Sequence, residues 1–401
     1  MEVMKNQNFS QEAPRHGQFS SIFSQLLKIF SRSDFERAVK KHKADRAAKG
    51  FDCWTQFVAM LFCQVGRAHS LREICGGLAS VEGKLNHLGV GNAPARSTLS
   101  YANAHRPYAL FEEVFGQLLE RCRSLAAPKP FRFKSKLYSL DATVIDLCLS
   151  AFDWAKFRRT KGAIKLHLLL DHDGCLPCYG VITDGKTHEI RVARTLEWPP
   201  GSIVVMDRGY VDYRFLDSLE DRGVFFVTRL KDKAAFSVEA EVSAPKGNIR
   251  ADQMISLPGS GKNAKALRLF RRVVVWDEAG EREIVLLTNN LKLAASTIAA
   301  IYQARWQIEL FFKALKQNLK IKTFVGTSPN AVRIQIWTAL IAILLLKYLQ
   351  IRSRLSWSLS NLLALLRLNL FVHRDLWAWV DEPFAPPPQP PAAVQTTLAF
   401  G

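Results

Sequence analysis

The sequence is short of acid. Among its 401 residues there are 36 Asp and Glu against 55 Lys and Arg, a formal net charge of +19 with a pI near 9.8. An excess of that size suits a polyanionic partner. Cysteine is also sparse: seven residues, an odd number, are scattered along the chain. That fits a reducing cytoplasm better than a disulfide framework. Cys175-Leu-Pro-Cys178 is a lone CxxC with no second ligand pair at zinc spacing. No hydrophobic signal-peptide region follows Met1. The longest apolar run, Ile334 to Leu346, contains Gln335 and is too short to cross a bilayer, so a core helix is expected there and no membrane partner. Internal repeats are missing too. Aromatics are not scarce. Nine Trp and 25 Phe point to a folded protein, not a basic disordered chain.

In chain order, residues 1–18 are polar and read as a disordered N-terminus. Residues 19–125 read as a helical N-terminal domain, with a helix start at Ser33-Asp34-Phe-Glu36 and a buried helix from Phe51 to Val65. Leu71 to Leu78, a Gly-containing turn, and Ser97 to Arg106 have the outline of a helix-turn-helix. Its last helix would offer Ser100, Asn103, His105 and Arg106 to DNA. Ala126-Ala-Pro-Lys-Pro130 reads as a linker.

Residues 136–230 change character. Strand runs lie at Lys136 to Leu149, Ala163 to Leu170 and Leu176 to Ile182, with Asp-Gly marking a hairpin between the last two. A helix at His188 to Leu196, a short apolar strand at Ser202 to Asp207, a helix at Tyr213 to Arg222 and a strand at Val224 to Leu230 follow. Three strands in hairpin order, then helix–strand–helix–strand, is the order of a ribonuclease-H-like α/β domain. Residues 231–290 read as a β-rich insertion, with strands at Leu267 to Trp276 and Glu281 to Leu287 and a basic content that includes Lys246, Arg250, Lys262, Lys265, Arg268, Arg271 and Arg272. Residues 291–350 complete the core with helices, and residues 351–401 hold a C-terminal helix and a Pro-rich tail.

One helix organises the functional reading: Tyr302-Gln-Ala-Arg305-Trp-Gln-Ile-Glu309-Leu-Phe-Phe-Lys-Ala-Leu-Lys316. At about 100° per residue, Tyr302, Arg305, Glu309 and Lys316 fall within roughly 60° of arc, beside an apolar stripe of Ile301, Ile308, Phe311, Phe312, Leu315 and Leu319. Tyr302 and Lys316 would stand about 21 Å apart, a spread that suits a nucleic-acid strand better than one phosphate.

Three acids stand out: Asp141 inside the first strand, Asp207 at the end of the fourth, and Glu309 on the helix. In a ribonuclease-H-like sheet the first and fourth strands are neighbours, which would set Asp141 beside Asp207. Carboxylates grouped in this way repel one another without a cation. Two Mg²⁺ ions about 3.5–4 Å apart can activate an attacking oxygen and stabilise a leaving one in phosphodiester displacement. Asp146, five residues from Asp141, faces the other way and is excluded. Asp184, His188 and Glu189 read as turn and cap residues.

Leu140-Asp141-Ala-Thr, Val-Met-Asp207-Arg-Gly-Tyr210 and Tyr302-x2-Arg305-x3-Glu309-x6-Lys316 resemble the DDE transposases of bacterial insertion sequences, and more narrowly the insertion-sequence-4 family, whose Y-R-E-K signature is matched in every spacing. The resemblance covers about Lys136 to Lys347. Residues from about Gly17 to Arg96 also look like an N-terminal domain often fused to such enzymes. The resemblance implies a ribonuclease-H-like core and cut-and-paste transposition with two Mg²⁺ or Mn²⁺ ions. It implies that Asp141, Asp207 and Glu309 are the metal-binding triad, and that Tyr302, Arg305 and Lys316 hold the DNA end. It also implies a tryptophan of the insertion, here Trp276, stacking on a flipped base. The implied partners are terminal inverted repeats and target DNA, bound by a homodimer in the bacterial cytoplasm at the nucleoid. Two other readings stay open: a catalytically silent DNA-binding descendant, and a ribonuclease-H-like nuclease without strand transfer.

Overall fold

The computed structural model describes residues 20–46, 48, 50–81, 83, 85–158, 161–257, 268–321 and 323–385. The polar N-terminus, Lys49, Lys262, Lys265 and all of the Pro-rich tail beyond residue 385 lie outside the described residues.

Six helices open the described chain: α1 (Ile22–Leu27), α2 (Arg32–Lys41), α3 (Cys53–Val65), α4 (Leu71–Ala79), α5 (Arg96–His105) and α6 (Ala109–Arg123). Local chemistry fixes most of their starts. The Asp52 carboxylate accepts from Thr55 N at 2.7 Å to cap α3, and Ser70 Oγ accepts from Glu73 N to cap α4 while the Glu73 carboxylate accepts from His69 N. The expected start at Ser33 falls two residues late, because Ser31 is the residue that caps α2.

Ten strands follow among the described residues, with helices between and after them. They are β1 (Leu137–Leu147), β2 (Lys156–Arg158), β3 (Lys161–Asp171), β4 (Leu176–Asp184), β5 (Ile203–Met206), β6 (Phe225–Arg229), β7 (Ser237–Glu241), β8 (Ile249–Leu257), β9 (Arg268–Asp277) and β10 (Arg282–Thr288). Helix α7 (Glu189–Thr195) precedes β5, and α8 (Tyr213–Asp221) joins β5 to β6. Helices α9 (Ala295–Ala304), α10 (Trp306–Asn318), α11 (Pro329–Arg352), α12 (Leu359–Asn369) and α13 (Leu376–Asp381) complete the described chain.

These strands form one mixed sheet, ordered β2-β3-β1-β5-β6-β10-β9-β8-β7, with β4 also paired to β3. β1, β3 and β4 are antiparallel in sequence, whereas β1, β5 and β6 are parallel. The neighbours of β1 are therefore β3 and β5, the adjacency that the two aspartates require. Strand β5 is four residues long and all four are buried, as expected of a strand covered on both faces.

The strands after β6 extend this same sheet, since β10 pairs antiparallel with β6 and carries β9, β8 and β7 outward. A buried ion pair fastens this extension to the helices beyond it. Arg271 on β9 donates to both carboxylate oxygens of Asp252 on β8, at 2.7 and 2.8 Å, and to the carbonyls of Asn290 and Leu293 just before α9. Both side chains of the pair are thus tied on several sides, and the start of α9 is held against the sheet.

Helix α11 extends beyond its apolar run at both ends. By length and composition it could cross a membrane, but 78% of its most apolar window is buried within the fold, where it packs on α3, α5, α6 and β4. Its Gln335 accepts from Val325 N and donates to the carbonyls of Lys320 and Thr323, so this polar residue organises the segment after α10. The short α13 was not apparent from the residue pattern.

Asp252→Ala would strand a buried guanidinium. It should cost about 3–5 kcal/mol, read as a fall in the thermal midpoint of the full chain.

Candidate active site

Asp141 sits in mid-β1 and Asp207 immediately follows β5. The parallel register pairs Leu140 with Met206, so the two aspartates leave adjacent strands side by side. Asp207 does not simply end its strand. Its Oδ1 accepts from Gly209 N at 2.8 Å, and its carbonyl accepts from Thr228 Oγ1. A Cβ at position 209 would stand 3.0 Å from that carboxylate oxygen, so the residue there must be nearly bare. Asp141 Oδ1 accepts from Ala142 N at 2.7 Å. Asp146 lies on the other face of β1 and is exposed, as the strand period requires.

Glu309 approaches from α10. The stretch from Tyr302 to Lys316 is not one unbroken helix: α9 ends at Ala304, α10 starts at Trp306, and Arg305 is the joint. The backbone of Arg305 stays right-handed, but Arg305 N bonds to Tyr302 O and Ile308 N to Arg305 O, both three residues back. This tightened turn advances the chain further per residue than an α-helix does, so the arc drawn at a constant 100° is only approximate. The apolar stripe is nevertheless buried throughout, and Tyr302, Arg305, Glu309 and Lys316 are all half-buried.

Arg305 is the electrostatic centre of the group. Its guanidinium meets Glu309 Oε1 at 2.7 Å and lies 5.5 Å from the centre of the Tyr302 ring, and its Nε is buried without a partner among the described residues. Asp141 feels all of its neighbours. Burial pushes its carboxyl up to about 6, with Asp207 and Glu309 adding to the rise while Arg305 opposes it. Lys316 reaches across to β1 and donates to the Val144 carbonyl at 2.9 Å. These oxygen donors suit a hard cation. Among the described residues, however, no three acids, histidines or cysteines converge as a ready-made metal cluster, and Arg305 holds Glu309.

Residues outside the expected set join the site. Tyr210 is buried, and its hydroxyl has no partner among the described residues. Burial, then Asp141 and Asp207, drive its phenol well above the ordinary range. It belongs to the Asp207-Arg-Gly-Tyr210 motif, yet nothing in the spacing marks it as part of the site. Beside Arg305 opens a cavity of about 760 Å³, lined by Arg229, Trp276, Arg282, Tyr302 and Trp306 among others. Trp276 thus lies near the joint, with Arg250 5.7 Å over its ring. The signal for Trp306 was its place next to Arg305. For Arg229 and Arg282 the signal appears only once β6 and β10 pair.

Two expected DNA contacts are placed elsewhere. Asn103 is buried and accepts from Gln56 Nε2, so it does not face solvent. Arg106 turns back onto α3, donating to the carbonyls of Phe51 and Asp52 and to Gln56. Both positions face the α3 side of α5, where packing outweighs exposure. Asp184 is a turn former that accepts from Lys186 N and Thr187 N, and Glu189 pairs with Lys165 at 2.7 Å.

With the metal absent, Asp141→Asn should melt higher than the wild type above pH 6. A carboxyl raised in the folded state is destabilising once ionised, so this advantage should shrink as pH falls from about 6 through 4. Melting curves across that range check it.

The family described as Transposase DDE domain matches residues 132–345, and Domain of unknown function (DUF4372) matches residues 18–91. "Putative transposase y4zB" of Sinorhizobium fredii is 32% identical over 79% of this chain and 88% of its own length. "Probable transposase for insertion sequence element IS5377" of Geobacillus stearothermophilus is 30% identical over 63% of this chain and 67% of its own. "Putative transposase for insertion sequence element IS4SA" of Synechocystis is 27% identical over 64% of this chain and 72% of its own. A piggyBac transposase synaptic complex with hairpin DNA aligns at a TM-score of 0.37 and 8% identity, over 87% of this chain and 78% of that one, too distant to carry an argument. The domain match spans more than half of the chain and takes in all three acids and the Tyr302–Lys316 stretch, so the chain belongs to the DDE transposases of insertion sequences, of the insertion-sequence-4 kind.

Proposed function

We propose that this transposase excises its element by cut-and-paste chemistry at terminal inverted repeats and that Asp141, Asp207 and Glu309 are its catalytic acids. One observation carries the reading: β1 and the end of β5 set Asp141 and Asp207 side by side, and the Asp141 carboxyl also feels Glu309 and its partner Arg305. The order β4-β3-β1-β5-β6, with β3 antiparallel, supports a ribonuclease-H-like core.

Mg²⁺ or Mn²⁺, two ions in the active complex, would supply charge neutralisation and Lewis-acid activation for phosphodiester hydrolysis and strand transfer. The chain's own part is to position. Asp141 and Asp207 are fixed by backbone bonds on adjacent strands, whereas Glu309 must leave Arg305 to join them. The freed guanidinium can then take a DNA phosphate, with Lys316 further along α10 and Tyr302 on the near side. Tyr210 lies buried near both aspartates. The cavity beside Arg305 has aromatic walls and arginines, which suits an unstacked terminal base on Trp276 and a hairpin intermediate. Two copies assembled on DNA would hold the two ends of the element.

Two outcomes test this. With Mg²⁺ and DNA carrying the boundary of the element, the wild type should cut, while Glu309→Gln should bind equally well and cut at background level. Cutting by Glu309→Gln or Asp141→Asn would refute the assignment. Trp276→Ala should weaken binding to a duplex with an unpaired terminal base about tenfold, leaving blunt duplex unaffected, as fluorescence anisotropy would read.

A further inference from the structure

A second concentration of positive charge lies away from the acids, where the N-terminal helices meet the segment after α10. A cleft there is lined by His69, Arg72, Arg96, Ser97, Phe324 and Val325 among others. Lys320 lies beside it. Lys320 is buried, and its ammonium donates to His69 Nδ1 at 2.6 Å, a neutral partner. Arg67 and Arg367 stand close enough to Lys320 that, after burial, their charges hold its ammonium below the ordinary range. The nearby acid, Glu73, is bonded to His69 N and Ser70 at the start of α4. Among the described residues, none of Arg67, Arg72, Arg96, Lys320 and Arg367 makes a salt bridge.

Five cations gathered around one nearby carboxylate, Glu73, leave an excess of like charge that is costly to the free protein. Yet buried hydrogen bonds fix the main chain that carries Lys320. Gln64 of α3 accepts from Lys320 N at 2.8 Å, and Gln64 and Gln335 both donate to the Lys320 carbonyl. Arg67 is held in the left-handed backbone region (φ 59°), which favours glycine. Arg72 and Arg96 project from α4 and α5 into solvent, and α5 opens here without a side-chain cap. The bland alternative, a solvated basic surface, does not account for a buried lysine tied into two helices of the core.

We propose that this cleft is a second DNA site, which grips the sugar-phosphate backbone of the duplex flanking the cleavage point without reading its bases. Lys320 follows Glu309 by a run of helix and turn on the order of 15 Å long, about four or five base-pair steps, a separation shorter than one bound duplex. The cleft joins a region whose family description assigns no activity to the catalytic helix itself, and it takes the place of the DNA contacts expected at Asn103 and Arg106. The inference rests on the transposase reading for its ligand, but not on the identity of the catalytic acids.

The test uses the full-length chain and a long duplex of mixed sequence, with affinity followed by anisotropy across a salt series. Arg72→Ala/Arg96→Ala should weaken binding about tenfold at moderate salt. It should also lower the slope of log affinity against log salt by about 2, one for each phosphate that is no longer neutralised. Arg72→Lys/Arg96→Lys should restore most of that slope, which a merely structural role would not do. Arg96→Glu, a single exposed change, should lower the slope by at least about 1 and covers the case of a double variant that misfolds. Unchanged affinity and slope in these variants, with a wild type that binds and cuts, would overturn this site alone. A wild type that binds no DNA would overturn it together with the proposed function.

Discussion

The parallel pairing of β1 with β5 is the constraint on which the rest depends. β5 has only four residues, all buried, so the sheet can accept it in one place and one register. That register sets Asp141 beside Asp207. Placing two acids there raises Asp141, because burial penalises its charge and Asp207 adds to the penalty. The chain keeps an arrangement that is unfavourable in isolation, which is the usual mark of a site awaiting a ligand of opposite charge.

Arg305 answers that charge within the protein. It stands at the joint of α9 and α10, bonded to Glu309 and stacked near Tyr302, and its Nε has no partner among the described residues. A guanidinium in that position offsets part of the repulsion when no metal is bound. It also sits next to the cavity where Trp276 and Trp306 meet. One side chain therefore links the acids to the aromatic cavity. The extension strands matter for the same reason. Through Arg271 and Asp252 they hold the start of α9, and so the placement of Tyr302 and Arg305.

Much of this was legible in the residues. The strand order around β1 follows from hairpin signals and short apolar runs, and the apolar stripe of α10 follows from its period. The Y-R-E-K spacing put Tyr302, Arg305, Glu309 and Lys316 on one edge beside the apolar stripe, and all four are half-buried although the helix breaks at Arg305. The break itself was not legible, because it depends on bonds three residues back and not on Gly or Pro. Asn103 and Arg106 were misread because a polar residue on a short helix can face either way until its packing partners are known. Here Gln56 and the carbonyls before α3 claim both. The basic cleft was invisible for a related reason. Arg67, Arg72 and Arg96 are far in sequence from Lys320 and Arg367, and the two groups come near each other only through tertiary packing.

The most direct test of the central claim is to count Mn²⁺ bound to the full chain on DNA by electron paramagnetic resonance, comparing wild type with Asp207→Asn. The account predicts bound Mn²⁺ in the wild type and a clear loss in the variant, with DNA affinity retained. Equal Mn²⁺ binding by both proteins would contradict it, because the ion would then be held by residues other than the paired acids of β1 and β5.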